Sequence, residues 1–161
     1  MKLILDSSVL IAFYTELGRP ELLHLLKDFG YDLLIPRGVF REVSLDPSFD
    51  RIQNDIRDKL VLLNELTGRE IGELKSRYIS LGLGELEVIW WGKHFKGRNE
   101  DYVCALDDLK ARKIAKKLEL NIIGTLGIIK LLNKFGVISK DELFKLYKTL
   151  KAKGFRLPDK F

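Results

Sequence analysis

At 161 residues with 46% hydrophobic side chains, the chain has the length of a single domain and enough apolar material for a proper core. A net charge of +5 and a pI near 9.2 favour anionic partners but fall short of the basic excess of a dedicated nucleic-acid clamp. The lone cysteine, Cys104, lies inside an apolar run and excludes a disulfide framework or a cysteine metal cluster, and no run reaches the ~18 apolar residues of a membrane span.

The opening stretch is strand-like and no signal-peptide core precedes it, so a cytoplasmic protein is expected. Lys2 to Leu5 reads as a short buried strand that ends on Asp6, and SSVLIAFY as a helix capped by Ser7 or Ser8. Glu21 to Phe29 carries a helical stripe closed by Gly30, and YDLLIP is a second strand ending at Pro36. GVFREVSLD is a short helix with Glu42 among its apolar residues. Asp50 to Asp58 reads as an exposed helix and KLVLLNEL as a short strand.

Gly68 to Tyr78 is a polar helix, and SLGLGELEVIWWGKHF introduces another whose first turn carries Glu85 and Glu87. GKHFKGRNED reads as a polar loop into the strand YVCAL, which stops at Asp107 and Asp108. LKARKIAKKL then turns Lys110, Arg112, Lys113, Lys116 and Lys117 outward. NIIGT is the next strand, LGIIKLLNKFG the next helix, and Ser139 with Glu142 forms a capping box for a final amphipathic helix. That helix packs on the domain, joins a dimer or receives a partner helix. The tail FRLPDKF follows. Alternating strands and helices predict an α/β fold of three layers, α/β/α, around a central parallel sheet.

The acids are the chemical signal. Asp6 and the Asp107/Asp108 pair end strands, and in parallel α/β folds the strand C-termini form the ligand-binding edge. Asp at a strand-to-helix junction also has an ordinary role as a helix cap, which accounts for one of the pair. Glu42 and Glu85 lie near helix ends that reach the same edge. Four carboxylates in one cleft repel each other unless a cation neutralises them, and oxygen ligands suit Mg²⁺ or Mn²⁺. Such a site can activate water against a phosphodiester.

Of the remaining polar residues, Arg112 stands one turn after Asp108 and pairs with it or reaches a phosphate, and Thr125 binds a phosphate or caps its helix. Trp90 and Trp91 belong to the core or a dimer contact, and His24 and His94 have no partner at ligand spacing. A receiver or haloacid-dehalogenase-type domain is excluded by order. Its paired acids follow the first strand, where this chain reads Asp6-Ser7-Ser8.

LILDSSVLIAF, IPRGVFREV, LGLGELEVIWW, ALDDLKARKIAKKLEL and IIGTLGIIKLL, in that order, resemble the successive motifs of the PIN-domain family of small metal-dependent nucleases. The resemblance covers roughly Lys2 to Glu142. It is strongest to members that read Gly-Glu, Leu-Asp-Asp and Gly-Thr-Leu-Gly-Ile at these places. It implies that Asp6, Glu42, Glu85 and Asp107 with Asp108 are the acidic quartet, with Asp6, Glu85, Asp107 and Asp108 toward the metal. Asp107 is the favoured ligand and Asp108 a cap or second ligand.

The chain departs from the family in carrying Glu85 where Asp is common and Ser8 where Thr or Asn is common. Ser8, Arg112 and Thr125 are the expected substrate contacts. The resemblance further implies Mg²⁺- or Mn²⁺-dependent cleavage of single-stranded RNA, a homodimer, and, for toxin-type members, an antitoxin protein. The alternative is the same fold binding RNA or protein with little catalysis.

Overall fold

The structure, a computed structural model, describes residues 1–155. Five strands form an all-parallel sheet: β1 (Lys2–Leu5), β2 (Asp32–Ile35), β3 (Val61–Leu62), β4 (Tyr102–Ala105) and β5 (Ile122–Ile123), in the spatial order β3-β2-β1-β4-β5. Strands covered on both faces read as unbroken apolar runs, and KLIL, DLLI and YVCA are of that kind. The chain builds outward from β1 in one direction, then returns to its other side with β4. The resulting switch point lies at the C-terminal ends of β1 and β4, where a crevice is expected.

Helices cover both faces, as the alternation predicts. They are α1 (Ser7–Ile11), α2 (Pro20–His24), α3 (Arg37–Glu42), α4 (Phe49–Asp55), α5 (Gly68–Arg77), α6 (Leu83–Gly97), α7 (Leu109–Lys117), α8 (Thr125–Lys134) and α9 (Lys140–Ala152). One continuous apolar core joins sheet and helices, from Leu3, Ile4 and Leu5 through Val88 and Ile89 to Leu150. The last helix buries Leu143, Leu146, Tyr147 and Leu150 against α8 and the turn at 12–16, so it packs on its own chain. No described helix is long and apolar enough to cross a membrane. The tail beyond Phe155 lies outside the described residues.

Several local expectations are corrected. Asp6, not Ser7 or Ser8, occupies the N-cap position of α1, and both serines are already helical. The helix expected through Tyr14 ends at Ile11 and widens into a π-turn over Ala12–Glu16, closed by the Leu17 amide on the Ala12 carbonyl at 2.8 Å. The exposed helix is shorter than its sequence stretch, stopping at Asp55, and the chain turns at Arg57 with φ 106°. The stretch GKHFKG is no connector: α6 runs through it and buries Phe95.

Gly92 does not break that helix because its bare backbone is what lets α6 approach β4. A Cβ there would lie 2.5 Å from the buried Cys104 sulfur. Burial pushes that thiol up to about 12, which leaves it an inert core residue.

His24 is not partnerless. The Tyr14 hydroxyl donates to Asp55 and lies 2.8 Å from His24 Nε2, which is itself 3.4 Å from Asp55 Oδ2. Burial outweighs Asp55 and holds His24 below its ordinary value. Trp91 is buried, and Trp90 is half-buried with its ring stacked on His94 at 5.2 Å between centroids.

Candidate active site

The sheet register carries two acids to one place. Leu5 pairs with Ala105, and the Asp6 amide donates to the Ala105 carbonyl at 3.2 Å, so both chains leave the sheet side by side. Asp6, Glu42, Glu85, Asp107 and Asp108 all line one cavity of about 1160 Å³ over the C-terminal ends of β1 and β4. Ser8, Lys110, Arg112 and Lys130 line it too.

Asp6 is 3% exposed and its Oδ1 has no hydrogen-bond partner, although the carboxylate accepts from the Ser7 amide. Burial first, then the charges of Glu85, Glu42 and Asp107, push it up from 3.8 to about 8. Glu42 and Glu85 are each raised, chiefly by burial. Glu42 feels Glu85 next, and Glu85 feels Asp108, with which it shares a hydrogen bond between the two carboxyl groups.

The N-terminus of α6 draws two of these acids together. The Gly82 amide donates to Glu85 Oε1 at 3.0 Å, and the Gly84 amide donates to Glu42. The positive end of a helix favours such charges.

Asp107 is the most firmly held. The Thr125 amide and hydroxyl donate to it at 2.7 and 2.6 Å, and the Ser8 hydroxyl at 3.2 Å. Asp108 is the N-cap of α7, its Oδ2 accepting from the Ala111 amide at 3.0 Å. The adjacent acids therefore divide the work: one caps its helix, while the other bridges α1, the loop after β4 and α8.

The three residues expected to touch substrate each donate a hydrogen bond to the chain itself, while Ser8 and Arg112 also line the cavity. Thr125 is 1% exposed and spends its hydroxyl on Asp107. Ser8 donates to the same carboxylate, and Arg112 Nη1 donates to the Leu106 carbonyl at 2.8 Å rather than to Asp108. Ser8 and Thr125 thereby hold Asp107 in place. Thr125→Val, which keeps the volume and loses the hydroxyl, is expected to lower activity about 10-fold with an unchanged melting curve, in line with loss of an outer-shell partner.

Sequence reading placed Glu87 beside Glu85 but gave it no role. It is 4% exposed, accepts from the Gly38 amide at 3.1 Å, and is raised by burial. The spacing Glu85-x-Glu87 was the available signal, and it hides the fact that the two side chains leave α6 in different directions.

A family model for the PIN domain matches residues 2–161, nearly the whole chain. The chain belongs to the PIN-domain family. No curated protein matches it. The match agrees with the five-stranded parallel sheet and with helices on both of its faces.

PIN domains are as a rule nucleases that depend on divalent metal, and the donors in this cavity are of the right kind, being carboxylate oxygens without sulfur or imidazole. Among the described residues no three His, Cys, Asp or Glu side chains stand together at metal-ligand distances. Each acid is instead held by its own amide, hydroxyl or carboxyl partner. The orphaned Oδ1 of buried Asp6 is what fits a cation: a charged oxygen withdrawn from water is stabilised only by a proton or a positive ion.

Proposed function

We propose that this PIN domain is a divalent-cation-dependent ribonuclease that cuts single-stranded RNA. The observation that carries the reading is Asp6: a buried carboxylate with an unpartnered oxygen, facing Glu42, Glu85 and Asp107 across one large cavity. Asp6, Glu85, Asp107 and Asp108 would hold Mg²⁺ or Mn²⁺. When bound, the cation supplies positive charge against the charge that develops on the phosphodiester and eases loss of a proton from the attacking water.

The chain's own residues do the rest. Glu42, raised chiefly by burial of its carboxylate and next by Glu85, is suited to take a proton from the attacking water. Asp107 is locked by three donors, so its oxygens stay where the reaction needs them. Lys110 and Lys130 on the cavity wall supply positive charge for the RNA backbone. The protein would act in the cytoplasm as a homodimer, with an antitoxin if it belongs to the toxin type.

A labelled single-stranded oligoribonucleotide tests this. Cleavage is expected with Mn²⁺ or Mg²⁺, none in EDTA, and slower or no cleavage of the matching DNA. Binding of RNA in EDTA without turnover in any divalent metal would instead mark a binding module.

A further inference from the structure

Glu42 comes from α3 and Glu87 from α6, and each reaches the N-terminus of the other's helix. The Gly38 amide, in the first turn of α3, donates to Glu87 Oε1 at 3.1 Å. The Gly84 amide, in the first turn of α6, donates to Glu42. Neither N-cap residue, Pro36 or Gly82, has a hydrogen-bonding side chain; within α6 itself only Glu85 reaches back, to the Gly82 amide at 3.0 Å. α3 thus borrows its cap from α6, and α6 adds one from α3 to its own.

The contact is close on both sides. A Cβ at Gly38 would lie 2.4 Å from Glu87 Oε2, and one at Gly84 would lie 1.6 Å from Glu42 Oε1. Only glycine admits either carboxylate.

We propose that Glu87 is a positioning residue for Glu42: by capping α3 it fixes the helix that delivers Glu42 to the amide of Gly84 and to the cavity. Glu87 is 4% exposed and is not among the residues that line that cavity. Its cost is plain, because a buried carboxylate is dearer than a packed aliphatic side chain at the same place. The pair is reciprocal, and loss of one cap loosens the other through the shared α3–α6 contact. The proposal rests on the nuclease reading only for the consequence in catalysis; the coupling between the two caps stands apart from it.

The test compares Glu87→Gln, which keeps the acceptor oxygen, with Glu87→Leu, which removes it. Amide hydrogen exchange at Gly84 reads the Glu42 cap directly. Exchange at Gly84 is expected to quicken about 10-fold or more in Glu87→Leu and to stay near wild type in Glu87→Gln, with kcat on RNA falling about 10- to 100-fold in the first alone and KM within twofold.

Unchanged Gly84 exchange in a folded Glu87→Leu protein overturns the proposal. So does equal loss of kcat in both variants, which would make the charge of Glu87 itself the requirement. If Glu87→Leu does not fold, Gly38→Ala displaces the same carboxylate and is read by the same two measurements. A wild type that protects Gly84 yet cleaves no RNA would sink the nuclease reading and leave the cap coupling intact.

Discussion

Asp6→Asn is expected to abolish cleavage and, in metal-free buffer at pH 8, to raise the melting temperature. The two effects have one cause. Asp6 is buried beside three other acids, and its Oδ1 meets no donor. An amide in its place keeps the acceptor for the Ser7 amide and carries no charge, so repulsion and desolvation both fall. Replacing buried charge by a neutral group often stabilises by about 1–4 kcal/mol, and ~2 kcal/mol in a chain of this length moves the midpoint by about 4–8 °C. Removing a centre of charge stabilisation from the reaction is expected to slow it by roughly 10²–10³-fold.

The pH dependence follows from the same carboxylate. Its folded value of about 8 stands above its ordinary 3.8, so between those limits the folded chain holds a proton that the unfolded chain has released. Stability in EDTA is full below about pH 4 as far as this group is concerned, and is lost as pH rises toward 8. Glu42, Glu85 and Glu87 are raised too and act in the same sense. Melting curves from pH 5 to 8 should fall for wild type and be flatter for Asp6→Asn. Added Mn²⁺ should restore more stability at pH 8 than at pH 6, because it binds the ionised form. A wild-type midpoint that rises toward pH 8 in EDTA would contradict this account of Asp6.

Gly84→Ala is expected to disturb the site directly, by displacing Glu42. Its Cβ would stand 1.6 Å from Glu42 Oε1, 2.8 Å from Glu42 Cδ and 3.2 Å from a Val39 methyl. Either Glu42 swings out of the cavity or α6 retreats from α3. Overpacking of this kind costs about 1–3 kcal/mol, and loss of a positioned carboxylate about 10- to 100-fold in rate. Gly72→Ala is the control. It also lies inside a helix, α5, but nothing stands within 4 Å of its Cβ, so it should gain about 0.5–1 kcal/mol of stability and leave activity alone. Thermal melts and cleavage rates for the two proteins separate helix propensity from contact at the site.

The parts of this fold that were legible in the sequence are those set by local composition. Apolar runs such as KLIL and YVCA announce buried parallel strands, and Gly30, in the left-handed conformation at φ 88°, closes its helical stretch as glycine should. The acids Asp6 and Asp107/Asp108 were legible because a strand end is also a sheet edge. What stayed hidden was set by distant partners. The helix through GKHFKG depends on Gly92 meeting Cys104, and nothing local marks that contact.

Ser8, Arg112 and Thr125 stand at the site, and what stayed hidden was their partners, since the acceptors they donate to lie 99, 6 and 18 residues away. The cap of α5 was missed for a plainer reason: Thr67 and Glu70 form a full capping box, which a helix begun at Gly68 leaves out.

The way Asp107 is tied has a consequence for the life of the chain on the ribosome. Its donors are Ser8 near the start and Thr125, which follows the last strand. β4, which carries Asp107 to the edge, pairs with β1 on one side and β5 on the other. A growing chain therefore cannot assemble this site until β5 and the first turn of α8 have left the exit tunnel. The firm hold on Asp107 is therefore completed only after the sheet is, late in synthesis.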